Sequence, residues 1–240
     1  MEYFPNEIKN NIKDYIIYKP INKEELEEAA DLWCENKDEA LNLYGHIQNW
    51  DTSLINDMSY LFCKHFSFNE DISRWDVSNV TSMEAMFNKA KSFNQPLNSW
   101  VVSSVINMNY MFKEASLFNQ LINSWDVSSV KKMVAMFYQA STFNQPLDLW
   151  NVYNVTNMCI LFFEASLFNQ PINSWNVSSV TEMQSMFRKA SSFNQPLNSW
   201  NVSSVTDTNN MFSGASVFNQ PLDSWNVSSV TDDTFHELSG

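Results

Sequence analysis

From position 50 onward the apolar and polar residues follow one pattern that returns every 25 residues. Counted from its tryptophan, the unit reads W-D/N-V-S-S/N-V-T-x-M-x-x-M-F-x-x-A-x-x-F-N-Q-P-L/I-N/D-S, and Trp stands at 50, 75, 100, 125, 150, 175, 200 and 225. A fixed period of this length predicts a stack of like units whose core forms between neighbours along one axis. Two spacings share the unit. After Thr81, the residues Met83, Met86, Phe87 and Ala90 recur at i, i+3, i+4 and i+7, which predicts one face of a helix of about ten residues. Thr in the seventh place suits its N-cap, and Thr81 with Glu84 and Thr181 with Gln184 read as capping boxes.

Around the tryptophan the spacing shortens to L-x-x-W-x-V-x-x-V, as in Leu97, Trp100, Val102 and Val105. This is the frame of a leucine-rich repeat, with Trp and Val in leucine places, and it predicts a short strand with Trp and Val turned inward. The expected fold is therefore α/β: a leucine-rich-repeat-type right-handed solenoid with short parallel strands on one side, short helices on the other and a helical N-terminal cap. Pro96, Pro146, Pro171, Pro196 and Pro221 stiffen the return to each strand. Asn69, Asn94, Asn119, Asn144, Asn169, Asn194 and Asn219 read as structural amides, buried and bonded to backbone.

Residues 1–49 lie outside the repeat. Asn6 can cap a helix carrying Ile8, Ile12 and Ile16, and Asn22 a second carrying Leu26, Ala29, Ala30 and Trp33, with a third turn through Ala40, Leu41 and Leu43 to Tyr44-Gly45. The expected organisation is a helical cap over 1–49, seven repeats over 50–224 and a partial repeat over 225–240 acting as C-terminal cap. Thr208 in a methionine place, Gly214 as a break in its helix and Asp232-Asp233 all fit such an ending.

Composition narrows the class. With 44% hydrophobic residues and only three glycines the chain is too apolar for disorder, and no stretch approaches the roughly 20 apolar residues of a membrane span. Net charge is −13, and residues 1–49 hold 11 acids against 5 bases, a balance that repels phosphate backbones and argues against nucleic acid as a partner. The N-terminus lacks the pattern of a secretory signal, and Cys34, Cys63 and Cys159 show no pairing motif, so an intracellular protein with reduced thiols is expected, cytoplasmic or virion-associated.

No Ser/His/Asp, Cys/His or HExxH arrangement occurs, and His46, His65 and His236 lie far apart in sequence, so neither enzyme activity, a cofactor nor a metal is expected. The informative residues are the exceptions to the repeat. Val101 replaces Asp or Asn, while Leu149 and Tyr153 replace Ser on either side of Trp150. In the fourth and fifth units the variable places become apolar at Val134, Tyr138, Ile160 and Phe163, with Cys159 beside them. Clustered apolar exceptions mark partner sites, aromatics being the usual anchors, so a protein partner is expected to bind here, the chain itself being monomeric. The regular Ser and Asn ladder, with Ser103, Ser128 and Ser178, instead suits a repetitive ligand such as a glycan polymer or ice.

The wording VSSVTxMxxMFxxAxxFNQPLNSW over residues 50 to about 233 resembles the BspA-like leucine-rich repeats, also described as a mycoplasma-lipoprotein-associated domain of unknown function. The stretch Leu26 to Trp50 resembles the leader of such arrays. The resemblance implies adhesion or protein binding without catalysis. The opening FPNEIKNNIKDYI is similar to the start of an F-box, which implies a substrate adaptor.

Overall fold

The computed structural model describes residues 17–231. In it each 25-residue unit closes one coil, and each coil lies on the next; coil 1 begins at Trp50 and coil 7 at Trp200. The architecture is not the α/β solenoid expected from the repeat frame. Among the described residues there is no strand, and both α-helices lie in the leader.

The stretch Thr81–Ala90, expected as a helix, is a chain of overlapping turns. Met86, Asn88 and Ala90 each donate an N–H to the carbonyl three residues back, at 3.0–3.2 Å. The amides between them leave the coil altogether. Met83, Ala85, Phe87 and Lys89 donate to the carbonyls of Asn107, Asn109, Met111 and Lys113 in the following coil, at 2.7–2.9 Å. Places 11 and 15 of the coil are left-handed, with φ of 53° at Ala85 and 65° at Lys89, and one such residue every fourth position cannot occur inside an α-helix. A run of four-residue turns buries places 9, 12, 13 and 16, which is again i, i+3, i+4 and i+7. The hydrophobic period therefore fits both structures, and the destination of the amides separates them.

Thr81 does not cap a helix. Its hydroxyl donates to the carbonyl of Asn56, one coil back, at 3.1 Å, and Glu84 is drawn outward by the Tyr60 hydroxyl and the Asn107 amide. The expected strand is also absent. Trp100 and Val102 do point inward, but each borders a turn, closed by Trp100 N–H to Leu97 and by Val105 N–H to Val102. Parallel pairing occurs instead as isolated bridges at place 8, from Asp57 through Ser82, Asn107, Lys132, Asn157 and Glu182 to Asp207.

Three aromatic columns fill the interior. Phe62, Phe87, Phe112, Phe137, Phe162, Phe187 and Phe212 stack at 5.5–5.8 Å. Phe68, Phe93, Phe118, Phe143, Phe168, Phe193 and Phe218 form a second column at 5.7–6.1 Å. The two columns touch within every coil, as where Phe112 meets Phe118 at 3.9 Å. From Trp100 to Trp225 each indole stacks on the next at 6.2–6.5 Å. Its Nε1 is satisfied by a carbonyl 28 residues earlier, as for Trp150 to Ile122 at 3.0 Å, which removes the cost of burying that donor.

The repeated asparagines bond backbone as expected but are not fully buried. Each Oδ1 accepts the N–H of the asparagine one coil on, at 2.9 Å in every step from Asn69 to Asn219. The glutamines that follow reach back to the same asparagines, as Gln145 Nε2 does to Asn119 at 3.0 Å.

The leader closes the N-terminal end of the stack. Helix α1 spans Lys23–Glu35 with Asn22 accepting from Glu25 N–H, and α2 spans Lys37–Tyr44 with Asn36 accepting from Glu39 N–H. Trp33 of α1 meets Trp50 edge-on at 6.0 Å and 88°, which ends the column of parallel indoles. Among the described residues three ion pairs tie the leader to coil 1, Lys19 with Asp51, Lys23 with Asp57 and Lys37 with Glu70, and the His65 ring bonds Asp31 at 2.9 Å. The helix expected around Ile8, Ile12 and Ile16, the F-box-like opening and Asp232-Asp233 lie outside the described residues.

Gly214 does not break a helix either. It occupies place 15, with φ 74°, and is the residue least strained there. Gly214→Ala should lower stability by about 1 kcal/mol, because the added Cβ would also sit 3.1 Å from Lys189 Cγ. Lys64→Gly, at the same place in coil 1 with φ 68°, should not lower it, and urea midpoints compare the two. Phe137→Ala, in the middle of a column, should cost about 3–5 kcal/mol in the same assay.

The Lys19 ammonium bonded to Asp51, with help from Ser53, holds the Asp51 carboxyl down at about 2. Its folded pKa lies below the unfolded one, so the stability it contributes is full above about pH 4 and is lost as pH falls toward the folded value. Lys19→Ala should flatten this part of an acid-unfolding profile.

Candidate functional site

The surface beside each tryptophan is built from side chains that bond their own backbone. In place 2, Asp51, Asp76 and Asp126 accept the N–H two residues on, and Asn151, Asn176, Asn201 and Asn226 do the same. Ser78 and Ser178 donate their hydroxyls to the same acceptors. In place 5, Ser104 and Asn154 reach the carbonyls of Ser78 and Ser128 one coil back. The recurring polar groups of this face are thus largely engaged within the chain.

Against that background Leu149 and Tyr153 stand out. Leu149 is 71% exposed and Tyr153 51%. Their backbone is fixed: the Leu149 N–H donates to Asn123 Oδ1 at 3.1 Å and the Tyr153 N–H to Asn151 Oδ1 at 3.2 Å. Between them Trp150 is held by its indole bond. The pair is an exposed apolar group on an ordered backbone, with little entropy to lose on contact. Val101, also exposed, lies two coils earlier and offers no acceptor where its neighbours carry Asp or Asn.

The other candidates form a separate group with internal partners. Tyr138 and Phe163 stack at 4.7 Å with their rings 9° apart. A cation closes each end of the pair, Lys113 Nζ at 4.9 Å from the Tyr138 ring and the Arg188 guanidinium at 5.6 Å from Phe163. Val134 and Ile160 are half-buried, the Val134 N–H held by Asn109 Oδ1 at 2.8 Å and Ile160 at a left-handed φ of 50°. The structure therefore brings Tyr138 and Phe163 together as a brace between coils 4 and 5, apart from Leu149 and Tyr153.

Two of the thiols are held away from the reactive thiolate form. Burial pushes the Cys34 thiol up to about 12, with Asp31 and Glu70 adding to it. Burial also pushes Cys159 up to about 11, against a lowering bond from the Gln184 amide and with the charge of Glu182 adding. Both stay protonated at neutral pH. His65 pairs with Asp31 at 2.9 Å, and His46 accepts the Gln48 N–H. Among the described residues no group of three His, Cys, Asp or Glu side chains is placed to hold a metal ion, and no helix is long and apolar enough to cross a membrane. An open cleft of about 470 Å³ lies where the leader meets the first coils, lined by Ile17, Gln48, Asn49, Asp51, Arg74 and Asp76 among others.

Four further exposed apolar side chains, Leu117, Leu121, Leu167 and Val217, were not singled out from the repeat. Leu121 replaces a proline, and the other three sit in a variable place where no single residue type is expected. The signal that finds them is a longer period of 50 residues: place 18 alternates large and small, and place 23 alternates Ile and Leu from Ile72 to Leu197.

The chain belongs to the family described as Mycoplasma protein of unknown function, DUF285, whose model matches residues 35–150 and 133–237. No curated protein and no solved structure matches it.

Two classes of substitution should separate the candidates. Tyr138→Ala and Phe163→Ala should each destabilise the fold, and a double-mutant cycle should return a coupling of about 0.5–1.5 kcal/mol. Leu149→Ala and Tyr153→Ala should stay within about 0.5 kcal/mol of the parent in chemical denaturation.

Proposed function

We propose that this member of the DUF285 family is a non-enzymatic protein-interaction module whose binding patch is centred on Leu149 and Tyr153. The observation that carries the reading is an exposed leucine and an exposed tyrosine flanking one buried tryptophan. The other coils place serine at nearly every equivalent position. Large side chains with fixed backbone and free tips are what interface anchors require, and Tyr is among the commonest. The likeness of the repeat wording to BspA-like repeats supports the same class. The alternative of a glycan- or ice-binding lattice on Ser103, Ser128 and Ser178 is less supported, because the Ser178 hydroxyl is taken by Asn176 and the neighbouring Ser104 and Asn154 side chains by carbonyls one coil back.

An affinity capture from the source cell with the parent chain and with Leu149→Ser plus Tyr153→Ala tests the reading. The double variant should lose a partner that Tyr138→Ala retains. Recovery of identical partners by parent and double variant would sink this choice of patch.

A further inference from the structure

Place 18 carries alternating sizes: Leu117, Leu167 and Val217 in coils 3, 5 and 7, and Ser92, Thr142 and Ser192 in coils 2, 4 and 6. The three large side chains are about half exposed. The small ones lie lower, and the Thr142 hydroxyl turns inward to the Ser116 carbonyl at 2.8 Å. The phenylalanine column at the adjoining place repeats at 5.7–6.1 Å per coil, so apolar knobs recur every two coils, about 12 Å, with a gap between each pair.

The surface around them carries little charge: across coils 2 to 7 the one charged residue at places 17 to 23 is Lys91. Residues 116–122, 141–147, 166–172, 191–197 and 216–222 contain no Asp, Glu, Lys or Arg, in a chain of net charge −13. Its asparagine and glutamine amides are already bonded along the stack, so covering the face strips little water from unsatisfied groups.

We propose that this face pairs with a second copy of the chain. The knob spacing is set by the coil, so another stack of the same coils matches it without drift; an α-helix repeats its face at about 10.5 Å and a strand at about 6.8 Å. A two-fold axis across the face that sets coil n against coil 9 − n puts every knob over a gap. Leu117 then faces Ser192 of the second copy, Leu167 faces Thr142, and Val217 faces Ser92. A shift of one coil either way sets knob against knob, and a shift of two restores the fit with fewer coils in contact, so this register engages the most coils. This is an isologous contact, closed at two copies.

The charge pattern favours the same occupant. Two chains that are both strongly acidic approach with least repulsion where neither carries an acid, and salt weakens the repulsion that remains. The contact rests on three half-exposed side chains per copy, less than the about 800 Å² per partner of standard interfaces, so the pairing is weak and concentration-dependent. It is independent of the Leu149–Tyr153 patch, which belongs to places 25 and 4.

Sedimentation equilibrium of the full chain from about 10 to 500 µM, at about 0.05 and 0.5 M NaCl, tests the pairing. The dimer fraction should rise with concentration and with salt, and Leu149→Ser plus Tyr153→Ala should leave it unchanged. Leu117→Asp with Leu167→Asp should weaken association at least about tenfold, with thermal unfolding unaltered. A second variant tests the register. Leu117→Cys with Ser192→Cys should form a covalent dimer under copper–phenanthroline oxidation, while each single change should not. Within one chain those residues are three coils apart, about 18 Å at the spacing of the phenylalanine column, beyond the reach of a disulfide. A monomer at every concentration, a dimer that weakens as salt rises, or one that survives the paired aspartates would overturn the proposal, as would failure of the paired cysteines to cross-link.

Discussion

The structure depends on one set of hydrogen bonds, those that carry the amides of places 9, 11, 13 and 15 out of their own coil and into the next. Met83, Ala85, Phe87 and Lys89 show the arrangement, and it recurs in the coils on either side. Because alternate amides bond forward, the carbonyls they leave behind can close four-residue turns inside the coil. Because the turns need a left-handed residue, places 11 and 15 accept side chains at positive φ in coil after coil. The strain at each such residue is of order 1 kcal/mol and is tolerated only because bonds on both sides fix the conformation.

Direction follows from the same bonds. Along places 9–15 every coil presents N–H groups to the coil after it and carbonyls to the coil before it, so a unit stacks in one sense only. The N-terminal end has no preceding coil, and helices α1 and α2 occupy that place, the leader being pinned to coil 1 by the Lys19, Lys23 and Lys37 ion pairs. Side chains of place 7 and the indoles of place 1 bond in the opposite sense, backward. Each coil is therefore gripped by its neighbours through backbone on one side of its section and through side chains on another.

Function is left to whatever the stacking does not use. The recurring Asp, Asn, Ser, Thr and Gln groups are mostly consumed in turns and ladders, and the phenylalanines, methionines and tryptophans in the columns. What remains are departures from the repeat, and they fall into three kinds. Tyr138 and Phe163 depart together and satisfy each other. Leu149 and Tyr153 depart together and remain largely exposed. Leu117, Leu167 and Val217 depart by rule, once in every two coils. Only the folded coil shows which of these departures meet each other and which stay exposed.

The sequence by itself determined that there is a stack, where each coil begins, which residues are inside it and that Asn22 and the leucine–alanine–tryptophan stripe after it form a helix. These follow from period and polarity, which are local. It could not determine how the inside residues are placed there. The spacing of Met83, Met86, Phe87 and Ala90 is common to a helix and to a run of turns, and that of Leu97, Trp100, Val102 and Val105 to a strand and to a pair of turns. Only the tertiary structure decided between them, because the choice rests on hydrogen bonds to residues 24 positions away, and a backbone amide carries no mark in the sequence of where its partner lies.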